Sequence, residues 1–379
     1  MSTDTGIDLG DLPEIPDAVE GKKIRDGFDY NTAFRFGFVG VGQAGGRIAE
    51  TFARIGYGRA CALNTTIADL SQLNGLSAEQ KLDFGGAKGA GKDPAIAAAL
   101  AQDRGEDFYD FFKRSLGDEL DYVFVCFGAA GGTGAGAFPK VAEVLQRLMA
   151  ETHHPVRVGA IVALPKDAEG QQFAKNALYS MRRLAALSLS PVIFVDNQKI
   201  KELYDPISSK EHQIENSSTA QLLHLFNRMA GTDSDHTSFD RADLAKLLDS
   251  GIVAFGSTTI KTWANPADIS TPIRDQLKRN VLATVDLSAG NLAALIYVLS
   301  GAAYDEVKAS DLDHATQMLT RILVNGSTVF PGVYKGTGTV ASIKALAMIG
   351  GLSWPRERLD ELSKIAGLNK DEIANALGV

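Results

Sequence analysis

The chain has 379 residues, of which 45% are hydrophobic and 22% charged, and its net charge is −8. This composition predicts a packed core with enough chain for two domains. The acidic balance argues against nucleic-acid binding by the whole surface, though not against a local basic patch, and no direct nucleic-acid partner is expected. Cys61 and Cys126 lie in apolar runs typical of core positions. We find no metal-site spacing, no signal peptide and no apolar run of the ~18–20 residues that span a bilayer, so we expect a cytoplasmic protein without a membrane partner.

The first predicted strand, residues 34–41, runs into a glycine-rich turn, and a helix follows to about Ile55. Within this stretch, Gly40-x-Gly42-x-x-Gly45 fits the dinucleotide-binding fingerprint. That fingerprint requires an acid about 20 residues later, at the end of the second strand. The predicted second strand ends instead in Asn64-Thr65-Thr66, so a Rossmann-type NAD-dependent oxidoreductase is the weaker alternative.

A second glycine-rich segment nearly matches the phosphate-binding P-loop. It reads Gly86-x4-Gly91-Lys92, but Asp93 stands where a serine or threonine would hold magnesium. A carboxylate at that position would repel phosphates, so the segment is not interpreted as a P-loop. Pro94 then favours the start of a helix that extends to about Leu116, with a possible break near Gly105.

The strongest local pattern joins an apolar strand at 122–126 to a helix at 138–149 through the loop 128–136. Strand, glycine-rich loop and helix in this order form a phosphate site, because glycines let the backbone approach an anion and the helix N-terminus attracts it. Thr133 adds a hydroxyl donor. A loop that only joined strand to helix would not need five glycines in nine residues.

The sequence of this loop, GAAGGTGAG, resembles the GGGTG(S/T)G signature of the tubulin/FtsZ family of GTPases. Six other segments resemble loops of that family in the right order: GVGQAGG, NTT, GAGKDP, PKDAEG, DNQK and SFDRAD. The resemblance covers roughly residues 34–365 and implies an α/β fold with two domains. A parallel-sheet, Rossmann-like GTPase domain is joined by a central helix to a smaller mixed α+β activation domain. The implied boundaries are an N-terminal extension at 1–33, the GTP-binding domain at 34–214, the central helix at 215–231, the activation domain with the catalytic loop at 232–353, and a C-terminal helix and tail at 354–379.

The resemblance also implies which residues bind GTP or GDP. Glu169 is expected to accept hydrogen bonds from the ribose, although an acid at a helix start is also favoured by the helix dipole. Asn197 is expected to read the guanine edge, although asparagine is also a common helix cap. Asn216, in the first turn of the central helix, is expected to meet the base. The other implied contacts are Gly42, Gln43, Ala44, Gly46, Arg47, Asn64, Gly91, Gly131, Gly132, Thr133 and Gly134.

Three positions depart from the family pattern. Gly46 stands in the place of an asparagine, and Thr66 stands in the place of an aspartate that bears on water or magnesium. Phe173 replaces an arginine, so one phosphate or ribose contact is missing or comes from elsewhere; Lys88 and Lys92 either assist at the phosphates or are solvated loop lysines. No residue is assigned as a metal ligand, and Mg²⁺ is expected to be held by phosphates and waters near Gln43.

A polar loop after the predicted central helix contains SFDRAD and resembles the family's catalytic NxDFxDL loop. Asp240 and Asp243 match its two acids. The pattern alone also fits acids that complement a helix dipole. The resemblance implies that both carboxylates enter the nucleotide site of the next subunit and orient water against the γ-phosphate. The chain is therefore its own expected partner, in a longitudinal homopolymer activated by assembly.

The C-terminal third predicts strands at 251–256, 294–300, 327–335 and 340–348, and a helix at 311–323. VFPGVYKG and GGLSWPRERLDEL resemble the plasmid- and phage-borne TubZ group, which implies DNA segregation or positioning with a possible DNA-bound adaptor protein. Residues 369–379 hold one lysine and two acids, unlike the basic tail of many TubZ proteins or the adaptor-binding peptide of FtsZ. An FtsZ-type cell-division protein is the alternative.

Overall fold

The computed structural model describes residues 32–85, 89–153, 155–204, 211–279, 283–324 and 326–368, with side chains except at 202–204, 211–218 and 278–279. The sequence expectations for residues 1–31, for Lys88 and for the tail beyond Leu368 lie outside the described residues.

The described strands form one mixed sheet in the order β3-β2-β1-β4-β5-β6-β7-β10-β8-β9. The strands from β3 to β7 are parallel to their neighbours, β10 is antiparallel to both β7 and β8, and β8 and β9 are parallel. This arrangement confirms the expected α/β fold with a mostly parallel sheet. The strands are Phe36–Val41 (β1), Ala60–Asn64 (β2), Lys81–Asp83 (β3), Tyr122–Gly128 (β4), Arg157–Leu164 (β5), Val192–Asp196 (β6), Ile252–Ile260 (β7), Leu292–Ser300 (β8), Thr328–Lys335 (β9) and Ser342–Leu352 (β10).

Helices cover both faces of the sheet, and their limits follow local signals. The break predicted near Gly105 is present, and the side chain of Asp93 accepts a hydrogen bond from the Ala95 amide, 2.8 Å away, so this carboxylate caps a helix. The helices are Gly42–Arg54 (α1), Ile67–Ser71 (α2), Pro94–Gln102 (α3), Gly105–Leu116 (α4), Thr133–Ala150 (α5), Gln171–Ala185 (α6), Asn197–Tyr204 (α7), Glu211–Met229 (α8), Arg241–Leu248 (α9), Pro266–Arg279 (α10), Ala303–Glu306 (α11), Ala309–Ile322 (α12) and Arg356–Ala366 (α13). In the described part of the chain, no helix is long and apolar enough to cross a bilayer.

The sheet is continuous across the boundary predicted between the two domains, and strand pairing is shortest there, between β6 and β7. Strands β6 and β7 pair only at Val192–Ile252 and Ile193–Val253, whereas β7 pairs with β10 over most of its length. Helix α8 covers the junction on one face, where its buried Leu222, Leu223 and Phe226 belong to a core that also contains side chains from β5, β7 and β10. The junction therefore joins the parts by packing more than by strand pairing.

A buried polar cluster fixes α8 to the start of the first strand. Asn227 donates from Nδ2 to the Phe34 carbonyl, 2.9 Å away, and accepts at Oδ1 from the Phe34 amide at 2.8 Å. One turn earlier, His224 Nδ1 lies 3.1 Å from the Tyr57 hydroxyl. Burial, together with the charge of Arg228, lowers the pKa of His224 to about 4. The imidazole is therefore neutral in the folded protein near neutral pH.

This cluster predicts a specific loss of stability in acid. The unfolded chain binds a proton at His224 below pH ~6.5 and the folded chain only near pH 4, so the free energy of unfolding falls as pH falls between these values. The free energy of unfolding should fall between pH 7.5 and pH 4.5 by roughly 2 kcal/mol less in His224→Gln than in the parent. Urea denaturation of parent and variant at both pH values measures this difference. Equal pH dependence in the two proteins would contradict the prediction.

Candidate functional site

A cleft of about 590 Å³ opens where β1, β4, β5 and β6 end, at the carboxyl edge of the parallel part of the sheet. Ligands of open parallel sheets bind at this edge. Most of the residues expected to bind nucleotide line the cleft: Gln43, Ala44, Arg47, Gly91, Gly131, Gly132, Thr133, Gly134, Glu169 and Asn197. The loops identified by their sequence patterns therefore meet around one cavity.

Two helix N-termini form one wall of the cleft. Helix α1 begins directly after β1, and α5 begins after residues 129–132, which connect it to β4. Neither helix has an acidic residue in its first turn. Their loops touch. Gly42 has a φ of +73°, and a Cβ there would lie 2.7 Å from the Gly134 amide nitrogen. Glycine is needed at position 42 for both reasons. Unpaired amides and positive dipole ends on one wall form an environment for phosphate groups.

Other expected residues shape this wall without lining it. A Cβ on Gly46 would lie 2.9 Å from Leu73 Cδ1, so Gly46 faces the core, where an asparagine would not fit. Asn64 is buried; its Oδ1 accepts from the Thr65 amide at 2.7 Å and its Nδ2 donates to Asp69. The side chain of Asn216 lies outside the described residues, so its expected contact with the base stays a prediction.

Asp69 is a cleft residue that the sequence analysis missed. Its Oδ2 accepts from Asn64 Nδ2 and from Thr66 Oγ1, both at 3.0 Å, and the residue lines the cleft. The aspartate missing at position 66 is thus replaced by a carboxylate three residues later, in the first turn of α2. The Thr66-x-x-Asp69 spacing, typical of a helix N-terminus, was the available signal.

The loop before α3, at residues 89–93, supplies a cation to the cleft. Lys92 has a φ of +65°, and its Nζ lies 4.9 Å from the centre of the Phe173 ring, within range of a cation–π interaction. Both residues line the cleft. The arginine that Phe173 replaces would have brought a positive charge to this wall, and Lys92 now brings one from another element.

Asn176, buried in α6, braces the loop at residues 89–93 against the glycine-rich loop after β4. Its Nδ2 donates to the carbonyls of Lys92 and Ala130, each 3.0 Å away. The two loops are also in direct contact, because a Cβ on Gly132 would lie 2.8 Å from Lys92 Cα. Ser180 donates to the Ala129 carbonyl at 2.7 Å. Helix α6 therefore fixes the positions of both loops.

We expect Asn176→Asp to weaken GTP binding about tenfold, because two buried carbonyls lose their donor and face a carboxylate oxygen instead. Equilibrium titration with a fluorescent GTP analogue measures the loss. Gln172→Ala is the matched control. It removes a side chain that donates to Asn176 Oδ1 at 2.9 Å but leaves both donors to the loops in place. Equal affinity in Asn176→Asp and parent would show that the brace has no effect on binding.

The opposite wall of the cleft is formed by the loop after β5 and the start of α7. Glu169 Oε1 accepts from the Lys166 amide at 3.2 Å, and Asn197 is the first residue of α7. Asp196 Oδ1 accepts from the Gln198 amide at 3.1 Å, so Asp196 makes the capping contact that was considered for Asn197. The amide of Asn197 therefore lines the cleft at a helix start that another residue caps.

The two candidate catalytic acids lie at the other end of the sheet. Arg241, between them in sequence, pairs with Asp121 at 2.7 Å, and its guanidinium lies 4.1 Å from the centre of the Phe34 ring. Asp121 directly precedes β4 and Phe34 lies two residues before β1, so the acids lie at the amino-terminal ends of the parallel strands. The seven residues of β4 span roughly 23 Å. Neither Asp240 nor Asp243 lines the cleft, so the two acids and the cleft are separated within one chain.

The two acids differ in their surroundings. The side chain of Asp240 accepts from the Asp243 amide at 2.9 Å and caps α9. The carboxylate of Asp243 has a longer contact, 3.6 Å, with Lys246 Nζ. Asp240 thus fixes the start of the helix that presents Asp243.

Comparisons with known proteins find similar sequences and similar folds. Residues 36–205 match the model of the tubulin/FtsZ family, GTPase domain. The tubulin-like protein CetZ of Thermococcus kodakarensis is 30% identical over 312 residues, which are 78% of this chain and 77% of that protein. The tubulin-like protein TubZ of Bacillus cereus is 23% identical over 382 residues, or 91% and 86% of the two chains. A GTPγS-form protofilament of Bacillus thuringiensis serovar israelensis TubZ superposes with a TM-score of 0.74 at 20% identity, over 91% of this chain and 93% of that one.

Proposed function

This chain belongs to the tubulin/FtsZ family of GTPases, and from that premise we propose that it hydrolyses GTP at a site completed by a second subunit. The observation that carries the proposal is the separation of the cleft from Asp240 and Asp243, at opposite edges of one sheet. Head-to-tail stacking brings the acids of one subunit to the cleft of the next. Family membership also sets aside the NAD-dependent oxidoreductase considered from the glycine fingerprint.

In this proposal the two walls of the cleft divide the nucleotide between them. The N-termini of α1 and α5 hold the phosphates, with the cations of Arg47 and Lys92 on the same side. Glu169 accepts from the ribose hydroxyls. Asn197 reads guanine, because an amide both donates to O6 and accepts from a ring N–H.

The residues of the cleft fit a magnesium ion whose main ligands are the phosphates of the nucleotide. Among the described residues, no group of three or more histidines, cysteines or acids could hold a metal ion. Asp69 and Gln43 line the cleft and would hold Mg²⁺ through water, a common arrangement when phosphates are the main ligands. When bound, the ion would neutralise charge on the phosphates.

The catalytic step follows from the proposed stacking. Phosphoryl transfer depends on positioning and on charge stabilisation. The capping contact of Asp240 orients the start of α9, and Asp243, the less tightly engaged carboxylate, orients a water molecule against the γ-phosphate of the neighbouring subunit. A single subunit lacks this group at its own cleft, so assembly activates hydrolysis.

The dependence of turnover on protein concentration tests the shared site. We expect phosphate release per subunit to be negligible below the concentration at which polymer forms and to rise above it. Light scattering and electron microscopy, with GTP and with a slowly hydrolysed analogue, report polymer in the same samples. A constant rate per subunit at all dilutions would contradict the proposal.

For the cellular role we propose segregation or positioning of plasmid or phage DNA, through a DNA-bound adaptor rather than direct DNA contact. The similarity to TubZ over most of both chains supports this role, as does the likeness of residues 350–362 to that group. Location of the gene on a plasmid or phage, and capture of an adaptor encoded beside it, test the proposal. A chromosomal gene whose loss blocks division would favour an FtsZ-type role instead.

A further inference from the structure

We propose that α13 is a strap that positions the base and ribose half of the cleft, and that Arg358 is the positioning residue through which it acts. The inference rests on the proposed roles of Glu169 and Asn197. It concerns a helix near the end of the described chain that lines no part of the cleft.

Arg358 is buried and ties α13 to the ends of two strands. Only 2% of its side chain is exposed. Its guanidinium donates to the Pro165 carbonyl and to Asp167 Oδ1, both at 2.6 Å, and its Nε lies 3.2 Å from Asp196 Oδ1. Pro165 and Asp167 follow β5, and Asp196 ends β6. One side chain therefore spans the two segments that lead to the base and ribose wall.

Each of these three contacts leads to a cleft residue within two positions, whereas a fourth, from Arg358 to Glu361 at 3.0 Å, stays within α13. Pro165 itself lines the cleft, and Asp167 lies two residues before Glu169. Asp196 directly precedes Asn197 and caps α7. The Gln198 side chain closes the connection, since its Oε1 accepts from the Asp167 amide at 3.1 Å. Small shifts of Arg358 would therefore move both proposed recognition residues together.

The contact between Arg358 and Asp196 makes the strap a coupled unit. Both side chains are 2% exposed, and burial of an ion pair costs desolvation that the partner charge and hydrogen bonds must offset. Loss of Arg358 would leave the Asp196 carboxylate without its buried guanidinium partner, with only the backbone amides and the Lys199 charge at the start of α7 to stabilise it. Two further contacts dock this segment. The ring centre of Trp354, two residues before α13, lies 5.6 Å from that of Phe194 in β6, and the Ala366 carbonyl at the end of the helix accepts from Gln171. Movement of α13 and movement of α7 are therefore linked.

The contacts of Arg358 lie on only one half of the cleft, whereas the C-terminal end of α13 packs on α6. Arg358 makes no contact with the phosphate loops, which Asn176 and Ser180 brace from α6. Base and ribose are common to GTP and GDP. Loss of the Arg358 contacts should therefore weaken the binding of GTP and of GDP to the same extent. It should leave the rate of the chemical step unchanged once the site is saturated.

The test compares Arg358→Met with Arg356→Met, an exposed position two residues earlier in the same helix. We expect Arg358→Met to raise the dissociation rates of GTP and GDP about tenfold each and to lower the preference for GTP over ATP. Turnover at saturating GTP should stay within about twofold of the parent. Arg356→Met should match the parent throughout. In a Trp263→Phe background, the fluorescence of Trp354 should report displacement of α13.

A second variant separates positioning from simple damage by a buried charge. Arg358→Met/Asp196→Asn removes the orphaned carboxylate but keeps an oxygen to cap α7, so it folds even if the single variant does not. We expect the double variant to keep the faster dissociation of both nucleotides, because the strap is still missing. Full recovery of binding in the double variant would overturn the proposal.

Two further results would also overturn it. One is that Arg358→Met leaves the dissociation rates of both nucleotides and the preference for GTP over ATP unchanged. The other is that it weakens the binding of GTP but not of GDP. Failure of the proposed function would give a different result from failure of the strap, because the parent protein itself would then bind ATP and GTP equally.

Discussion

Asp243→Ala is expected to reduce turnover about a thousandfold while GTP binding and polymer formation persist. The carboxylate lies at the opposite edge of the sheet from the cleft of its own chain, so its loss leaves nucleotide contacts intact. Its backbone amide still donates to Asp240, so the capped start of α9 is also kept. Phosphate release at saturating GTP measures turnover, and sedimentation with a GTP analogue measures assembly.

Asp235→Ala is the matched control, because Asp235 is an exposed acid in the same loop. Its turnover should match that of the parent. A mixed-filament experiment adds a sharper test. Subunits with Asp243→Ala keep a working cleft, and subunits with a damaged cleft keep working acids, so the mixture should recover part of the activity that each lacks alone. If Asp243→Ala hydrolyses GTP at the parental rate, the shared catalytic site is wrong.

Asn197→Ala is expected to lower the preference for GTP over ATP roughly a hundredfold. A site that pairs with polar groups on its ligand discriminates strongly, because the wrong ligand leaves buried groups unpaired. The substitution should spare α7, since Asp196 caps the helix. Competition of GTP, GDP and ATP against a fluorescent guanine nucleotide gives the preference.

Lys201→Ala, in the same short helix but outside the cleft, controls for general loosening of α7. It should leave the preference unchanged. A parent protein that does not distinguish ATP from GTP would contradict the assignment of Asn197. An unchanged preference in Asn197→Ala would move guanine recognition to another residue.

The sequence predicted the fold where the signals are local and strong. Apolar runs placed most strands of the sheet within a few residues of their observed limits, and the glycine-rich loops identified the turns that enter α1 and α5. The short strand β3 was missed, because three partly buried residues give no alternation to read. The central helix starts at Glu211 rather than at position 215, and β7 and β10 extend to Ile260 and Leu352.

The sequence by itself determined the loops, because their requirements are local: positive φ at Gly42 and amides at helix starts. The tertiary structure alone decided which distant groups meet at those loops. Asp69 replaces the acid missing at position 66, and Lys92 brings a charge to Phe173. Arg358 reaches the ends of β5 and β6 from more than 150 residues away. Such contacts depend on how helices pack on the sheet, and that packing depends on the whole core rather than on any short stretch of sequence.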